Sequence, residues 1–320
     1  MPYQEYLSDL RICADIHQKY GKSFFAGTAL FPQDLREATH MLYAFVRIPD
    51  EYVDTTYAHD PQEARIHLDR WQDAWHACLE DKSYEQGLDE TEIAVLRAAR
   101  YVFNTYKIPV QHSQEFLDVM RADITTHRYK TYTDLEAYMY GSASVVGIMM
   151  TYILCTHDSR FNTDERYRME ILGYAKTLGD AFQMTNFIRD IGEDYQDRGR
   201  IYLPQEDVEM YKVTEQMLAE KTVTSEIKML IKFELERTDA LYKRADKGIF
   251  MLPAFAGKGI YVARVLYSAL HRKIMKQGYD TLNGRVRLST LYKTWLIVRT
   301  LFTYRIQRWY ATKRHHIFHE

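Results

Sequence analysis

The sequence predicts an all-α fold in a single domain, and three observations carry that prediction. Apolar residues recur at steps of three and four from one end of the chain to the other. Chain breakers are few, 14 Gly and 7 Pro in 320 residues. No segment sustains the apolar–polar alternation of a half-buried strand. Hydrophobic residues make up 46% and charged residues 27%, which suits a large core and excludes a disordered chain. Length alone would suggest about two domains. No low-complexity linker or fixed-period repeat divides the chain, so one domain over 1–320 is expected.

Taken in order, helices are expected near 3–20, 34–54, 62–80, 89–106, 112–127, 133–156, 165–196, 223–250, 256–277 and 289–312. The first, within MPYQEYLSDLRICADIHQKYG, carries acids and no apolar run, so it is neither a signal nor a transit peptide. Gly21–Pro32 has small residues and a Pro stop and reads as a connector. The charge-poor stretch Ala137–Thr156 approaches the ~20 apolar residues of a membrane span. It contains Gly141, Ser142, Ser144, Gly147 and Thr151 and reads instead as a buried helix. Asp197–Asp207 ends the long helix before it and starts a loop. Cys13, Cys78 and Cys155 have no metal or CxxC spacing, which suggests buried thiols, a reducing compartment and a cytoplasmic protein. The net charge of −2 gives no nucleic-acid footprint.

The candidate chemistry lies on two acidic helices. In DAFQMTNFIRDIGEDYQDRGRIYLP, Asp180, Gln183, Asn186 (or Phe187), Asp190, Asp194 and Asp197 form one stripe at steps of three and four. Phe182, Ile188, Ile191 and Tyr195 take the other face. Asp190 and Asp194 are like charges four apart, a pairing that costs roughly 0.2–0.5 kcal/mol on a helix. Nothing in the spacing supplies a cation between them. In YAFVRIPDEYVD, Asp50 and Asp54 are again four apart, with Arg47 three residues before Asp50. One such pair reads as a solvated face; two pairs flanked by Leu42, Phe45, Val53, Phe182, Phe187 and Ile188 do not. Oxygen ligands without Cys or His suit a hard cation, Mg²⁺ first and Mn²⁺ as its substitute, with substrate phosphates completing the shell. Arg47, Arg189 and one or both of Arg198 and Arg200 could hold the remaining phosphate oxygens or merely pair with the neighbouring carboxylates.

DEYVD preceded by YAFVR, and DIGED followed by RGRIYLP, resemble the phytoene synthase and squalene synthase family, and GEDYQDRGRIYLP resembles its bacterial phytoene-forming branch. The resemblance runs from KSFF to GYDTLNGRVRLSTLYK. It implies a class I isoprenoid synthase bundle of helices around a central cavity. It also implies that Asp50 and Asp54 on one wall, and Asn186, Asp190 and Asp194 on the other, hold Mg²⁺ and diphosphate. Ser23, Phe24, Tyr43, Arg47, Tyr138, Gln183, Arg189 and Tyr267 match its substrate-contacting residues. Phe24, Phe182 and Phe187 are candidate rings for stabilising a carbocation. Ala26, Gly27, Thr28, Ala29, Gly147, Ala175 and Gly179 either leave room for prenyl tails or pack helices closely. The chain departs from the family pattern at Pro49, expected to kink its helix, at Glu51 in place of a second Asp, and at YGSASVVG.

The implied reaction is head-to-head condensation of two geranylgeranyl diphosphates through prephytoene diphosphate to phytoene. The alternative joins two farnesyl diphosphates to squalene or dehydrosqualene. A terpene cyclase fits DIGED with RGRIYLP poorly, and a scaffold that had lost catalysis should show eroded acidic motifs. Phytoene formation ends in proton loss, and no strand precedes a G-x-G-x-x-G, so NADPH is not expected. At the C-terminus, 289–320 holds Lys293, Arg299, Arg305, Arg308, Lys313 and Arg314 against the single acid Glu320, with Trp295, Val298, Phe302 and Trp309 sharing a stripe. Two readings stand: a core-packed last helix with a basic outer face, and an amphipathic helix in peripheral contact with a membrane. His315 and His319 are four apart and read as a frayed tail rather than a metal site. The sequence does not speak to oligomeric state.

Overall fold

The structure, a computed structural model, describes the backbone of residues 3–317 and the side chains of these except 3, 23, 26 and 310–317. In chain order the helices are α1 (Tyr3–Tyr20), α2 (Lys22–Thr28), α3 (Gln33–Glu51), α4 (Pro61–Leu79), α5 (Glu90–Tyr106) and α6 (Gln111–Asp123). There follow α7 (Tyr132–Met139), α8 (Val145–Leu154), α9 (Ser159–Thr163), α10 (Glu165–Arg198), α11 (Gln205–Met210) and α12 (Glu215–Ala219). The last three are α13 (Ser225–Met251), α14 (Ala254–Lys276) and α15 (Thr290–Ile317). Two π-turns, Tyr52–Thr56 and Tyr140–Ser144, follow α3 and α7. Among the described residues the only β pairing is a parallel bridge between Arg128 and Ile201. The expected all-α class is what is found. The expected connector Gly21–Pro32 holds the short helix α2, and the expected helix 133–156 is broken by its π-turn.

Chain contacts define two compact units, residues 1–125 with 145–168, and residues 126–144 with 169–320. The first unit is built on the apolar stripe of α3. Leu35, Met41, Leu42 and Phe45 are at most 1% exposed. Phe45 packs on Trp75 at 4.7 Å between ring centres and on Trp71 at 5.9 Å. Aromatic burial of this kind contributes about 3–5 kcal/mol per ring against truncation to Ala. Asp60 caps α4 ahead of Pro61, and Asp89 with Glu92 forms a reciprocal cap on α5. Arg97 on α5 grips the buried carboxylate of Asp9 on α1 through Nε at 2.7 Å and Nη2 at 2.8 Å.

In the second unit α10 is fastened to α13 and α14 by buried polar groups. Thr185 Oγ1 lies 2.8 Å from the Tyr242 hydroxyl and 3.0 Å from His271 Nε2. His271 Nδ1 lies 2.8 Å from Asp239. A second buried cluster places Arg237 Nη1 2.8 Å from Asp207 and 2.9 Å from Glu234. Two carboxylates share one cation there, and burial pushes the Glu234 carboxyl up to about 8. Its folded value lies above the unfolded one of about 4.3, so the folded state holds the proton longer. The stability this confers is complete below about pH 4 and is lost as pH rises through about 8. Thermal melts between pH 4.5 and 8.5 should therefore decline, and Glu234→Gln, which keeps the neutral shape, should flatten that decline. A slope unchanged in the variant would refute the assignment.

The stretch Tyr132–Leu154 is long and apolar enough to cross a membrane by length and composition, but 56% of its most apolar window is buried inside the protein. Cys13, Cys78 and Cys155 are free and buried.

Candidate active site

In the first unit, Tyr43, Arg47 and Asp50 lie on successive turns of α3, and Asp54 follows in the π-turn. Pro49 does not end α3. The chain stays helical to Glu51, and the Tyr52 amide is shared between the carbonyls of Ile48 and Pro49. A proline offers no amide to its own turn, and the helix widens three residues later, at the position that presents Asp54. Such π-turns recur at functional sites. Arg47 forms ion pairs with Asp50 and Glu51 and lies 4.6 Å over the Tyr20 ring. Its Nε is buried with no hydrogen-bond partner. Glu51, in place of a second Asp, thus helps hold the arginine.

Tyr43 is braced from behind. Its ring stacks on His17 at 4.1 Å, and His17 Nδ1 meets His40 Nδ1 at 2.8 Å. Burial lowers His17 to about 3 and His40 to about 4, so the pair is neutral and one imidazole donates to the other. Gly21 must be glycine here, because a Cβ would meet His17 at 2.7 Å and Tyr43 at 2.8 Å. Phe24 sits 5.6 Å from His17. The side chains of Ser23 and Ala26 lie outside the described residues.

In the second unit the acidic stripe occupies α10. Asp180 is 2% exposed and Asp194 is 7% exposed, whereas Asp197 points into solvent. Asp180 accepts a hydrogen bond from Ser144 and pairs with Lys176 at 3.0 Å; burial raises its pKa, and those partners oppose the rise. Asp180 is therefore a bracing residue. Gly179 allows the π-turn to approach, since a Cβ there would lie 2.8 Å from Ser144 Cα. That assigns Gly179 to close helix packing.

Asp190 is held from two sides. Arg189 Nε donates at 2.7 Å and Arg285 Nη2 at 2.9 Å. Arg285 also reaches Glu193 at 3.6 Å, and Arg198 pairs with Asp194 at 3.0 Å. Arg189 and Arg198 belong to the same helix, the latter one turn beyond Asp194, and Arg285 brings a cation from outside it. Asn186 Nδ2 donates to Gln183 at 3.4 Å, while Asn186 Oδ1 is buried with no partner. Phe187 stacks on Tyr202 at 4.2 Å, and Tyr202 lies 5.8 Å from Tyr138. Phe182 packs at 4.5 Å on Tyr267, whose phenol is raised by burial. Gln183, Asn186, Arg189, Asp190 and Asp194 are thus gathered on one helix, with Tyr138 tied in through Phe187 and Tyr267 through Phe182.

Arg285 and Tyr202 were not singled out from the sequence. Both lie in stretches that carried the resemblance, RGRIYLP and GYDTLNGRVRLSTLYK. Left-handed Gly199 ends α10, and the Arg200 amide turns back to the Asp194 carbonyl at 3.0 Å, delivering Tyr202 to Phe187. Arg285 arrives on the segment after α14, where the Gly192 amide donates to the Thr281 carbonyl at 3.2 Å.

Taken unit by unit, the donors suit a hard cation such as Mg²⁺. Asp50 and Asp54 in the first unit offer carboxylate oxygens, as do Asp190 and Asp194 in the second, where the buried, unpartnered Asn186 Oδ1 is an acceptor that a cation would satisfy. Among the described residues no three His, Cys, Asp or Glu form a ready-made cage. Mg²⁺ needs none, since water and substrate phosphates supply the rest of its shell.

The squalene/phytoene synthase family profile matches residues 17–292, and the chain belongs to that family. It is 30% identical over 283 residues to a 15-cis-phytoene synthase of Synechococcus elongatus, covering 88% of each chain. It is 31% identical to a 15-cis-phytoene synthase of Synechocystis, covering 87% of this chain and 80% of that one. A solved dehydrosqualene synthase superimposes with a TM-score of 0.81 at 27% identity, covering 95% of this chain and 99% of that one. A squalene synthase from Alicyclobacillus acidocaldarius, at 22% identity and a TM-score of 0.73 over 88% of this chain and 97% of that one, shares the fold.

Proposed function

We propose that this chain condenses two molecules of geranylgeranyl diphosphate, through prephytoene diphosphate, to phytoene. The observation that carries the reading is the kinship with phytoene synthases at about 30% identity over nearly nine-tenths of the chain, with both acidic motifs complete. Asp50, Asp54, Asn186, Asp190 and Asp194 would hold Mg²⁺ or Mn²⁺, which supplies Lewis-acid charge to a departing diphosphate. Arg47, Arg189 and Arg285 each pair with carboxylates, and the same guanidinium forks would suit phosphate oxygens. Phe182, packed on Tyr267, and Phe187, stacked on Tyr202, are the rings that would stabilise a developing cation and help keep water from it. The last cation sheds a proton rather than accepting a hydride, so no nicotinamide is required.

The C30 reading, condensation of two farnesyl diphosphates, draws on the likeness to a dehydrosqualene synthase. One experiment separates them. Purified protein with Mg²⁺ is given each prenyl diphosphate, with and without NADPH, and the hydrocarbons are chromatographed. Phytoene from geranylgeranyl diphosphate, with NADPH making no difference and farnesyl diphosphate reacting more slowly, is the expected result. A C30 product with geranylgeranyl diphosphate inert would overturn the chain length and leave the diphosphate chemistry standing.

A further inference from the structure

The apolar stripe of α15 faces outward. Leu291 is 85% exposed, Trp295 52%, Val298 48%, Phe302 78%, Ile306 60% and Trp309 51%. At about 100° per residue these six share one face, opposite Leu296, Thr300 and Tyr304, none more than 4% exposed. The inner face is fastened within its own unit. Tyr304 packs on Phe250 at 6.0 Å and Tyr261 at 5.8 Å, and Arg308 donates to the Leu252 carbonyl at 2.9 Å. Gly257 admits this approach, since a Cβ there would lie 2.4 Å from the Tyr304 hydroxyl. The stripe is therefore not a core face, which removes the core-packed reading for Trp295, Val298, Phe302 and Trp309.

Arg299 and Arg305, both exposed, border the stripe on its two sides, and Thr290–Ile317 contains no Asp or Glu. We propose that this face is an in-plane anchor for an anionic lipid bilayer. Charge complementarity selects that occupant. An apolar strip about 27 Å long, from 1.5 Å per residue, flanked by arginines and carrying tryptophans, matches the acyl–headgroup boundary. A second copy of the same face would set Arg299 and Arg305 of one copy against those of the other. Arg299, Arg305 and Arg308 in mid-helix forbid spanning, so α15 lies flat. Lys313, Arg314, His315 and His319 lie outside the described side chains and carry no part of the argument.

The test uses the full chain and vesicles of phosphatidylcholine with or without phosphatidylglycerol, some labelled with brominated lipid. Trp71 and Trp75 are 0% exposed, and the chain has four tryptophans, so bromolipid quenching reports Trp295 and Trp309. The protein should float with the anionic vesicles and be quenched. Arg299→Gln and Arg305→Gln should each weaken partitioning about fivefold at low salt. Phe302→Glu should weaken it tenfold or more with unchanged circular dichroism. Failure to float at low salt, or flotation untouched by Phe302→Glu, overturns the proposal. So does a concentration-dependent dimer that Phe302→Glu disperses, which would make the face a self-association surface.

Discussion

Asp190→Asn should lower turnover by about a thousandfold while leaving the melt close to that of the parent protein. The size follows from losing one preorganised electrostatic partner at a developing charge, about 3–4 kcal/mol. The variant also separates two roles for Asp190. If Asp190 did no more than pair with Arg189 and Arg285, which donate to it at 2.7 and 2.9 Å, the amide would free both forks for phosphate. Substrate binding would then tighten and turnover would fall little. If Asp190 holds a cation, the amide is a poor ligand and turnover collapses. Asp50→Asn, on the other acidic motif, should behave alike, although Arg47 retains Glu51 as a partner there. Chelation by EDTA should abolish activity in the parent, and Mg²⁺ or Mn²⁺ should restore it. A near-normal Asp190→Asn enzyme, or full activity in EDTA, would remove the metal from the proposal.

Each acidic motif was legible because its residues are local in sequence. Asp190 and Asp194 sit one turn apart, and so do Asp50 and Asp54 once α3 is continued past Pro49. What was not legible is what arrives from elsewhere. Arg285 lies 95 residues from the carboxylate it contacts, and no helical period links the two. The π-turn at Tyr140–Ser144 approaches α10 closely at Gly179, where a Cβ would meet its backbone, a contact that no local spacing announces. The direction of α15 was also hidden. Leu296 and Tyr304 on one face, and Trp295 and Phe302 on the other, give both faces apolar bulk, and tertiary contacts such as Tyr304 against Phe250, Tyr261 and Gly257 select the inner one. The basic residues of that helix and the stripe of Trp295, Val298, Phe302 and Trp309 were visible at once; whether that stripe faced inward or outward was a question of packing.

Gly192→Ala should impair the enzyme through Arg285 without touching a ligand of metal or substrate. Gly192 lies on α10 between Asp190 and Asp194, and a Cβ there would meet Leu282 O at 2.5 Å, Leu282 Cα at 2.8 Å and Leu282 C at 2.9 Å. All three are backbone atoms, so no rotamer change relieves the contact and the segment after α14 must lift. Lifting it strains the Gly192–Thr281 hydrogen bond and withdraws Arg285, three residues beyond Leu282, from Asp190 and Glu193. The overpacking costs about 1–3 kcal/mol of stability. Losing a charge-assisted contact to substrate costs about 1.5–3 kcal/mol of binding, a KM for the prenyl diphosphate raised roughly ten- to a hundredfold. Arg285→Ala, at a half-exposed position, should reproduce the kinetic loss with little change in stability, and Arg285→Lys should recover only part of it because an ammonium lacks the planar fork. The two sites then couple: Gly192→Ala combined with Arg285→Ala should be scarcely slower than either alone. Additive losses would mean that the glycine acts by another route, and normal kinetics in Gly192→Ala would mean that the segment bearing Arg285 takes no part in binding diphosphate.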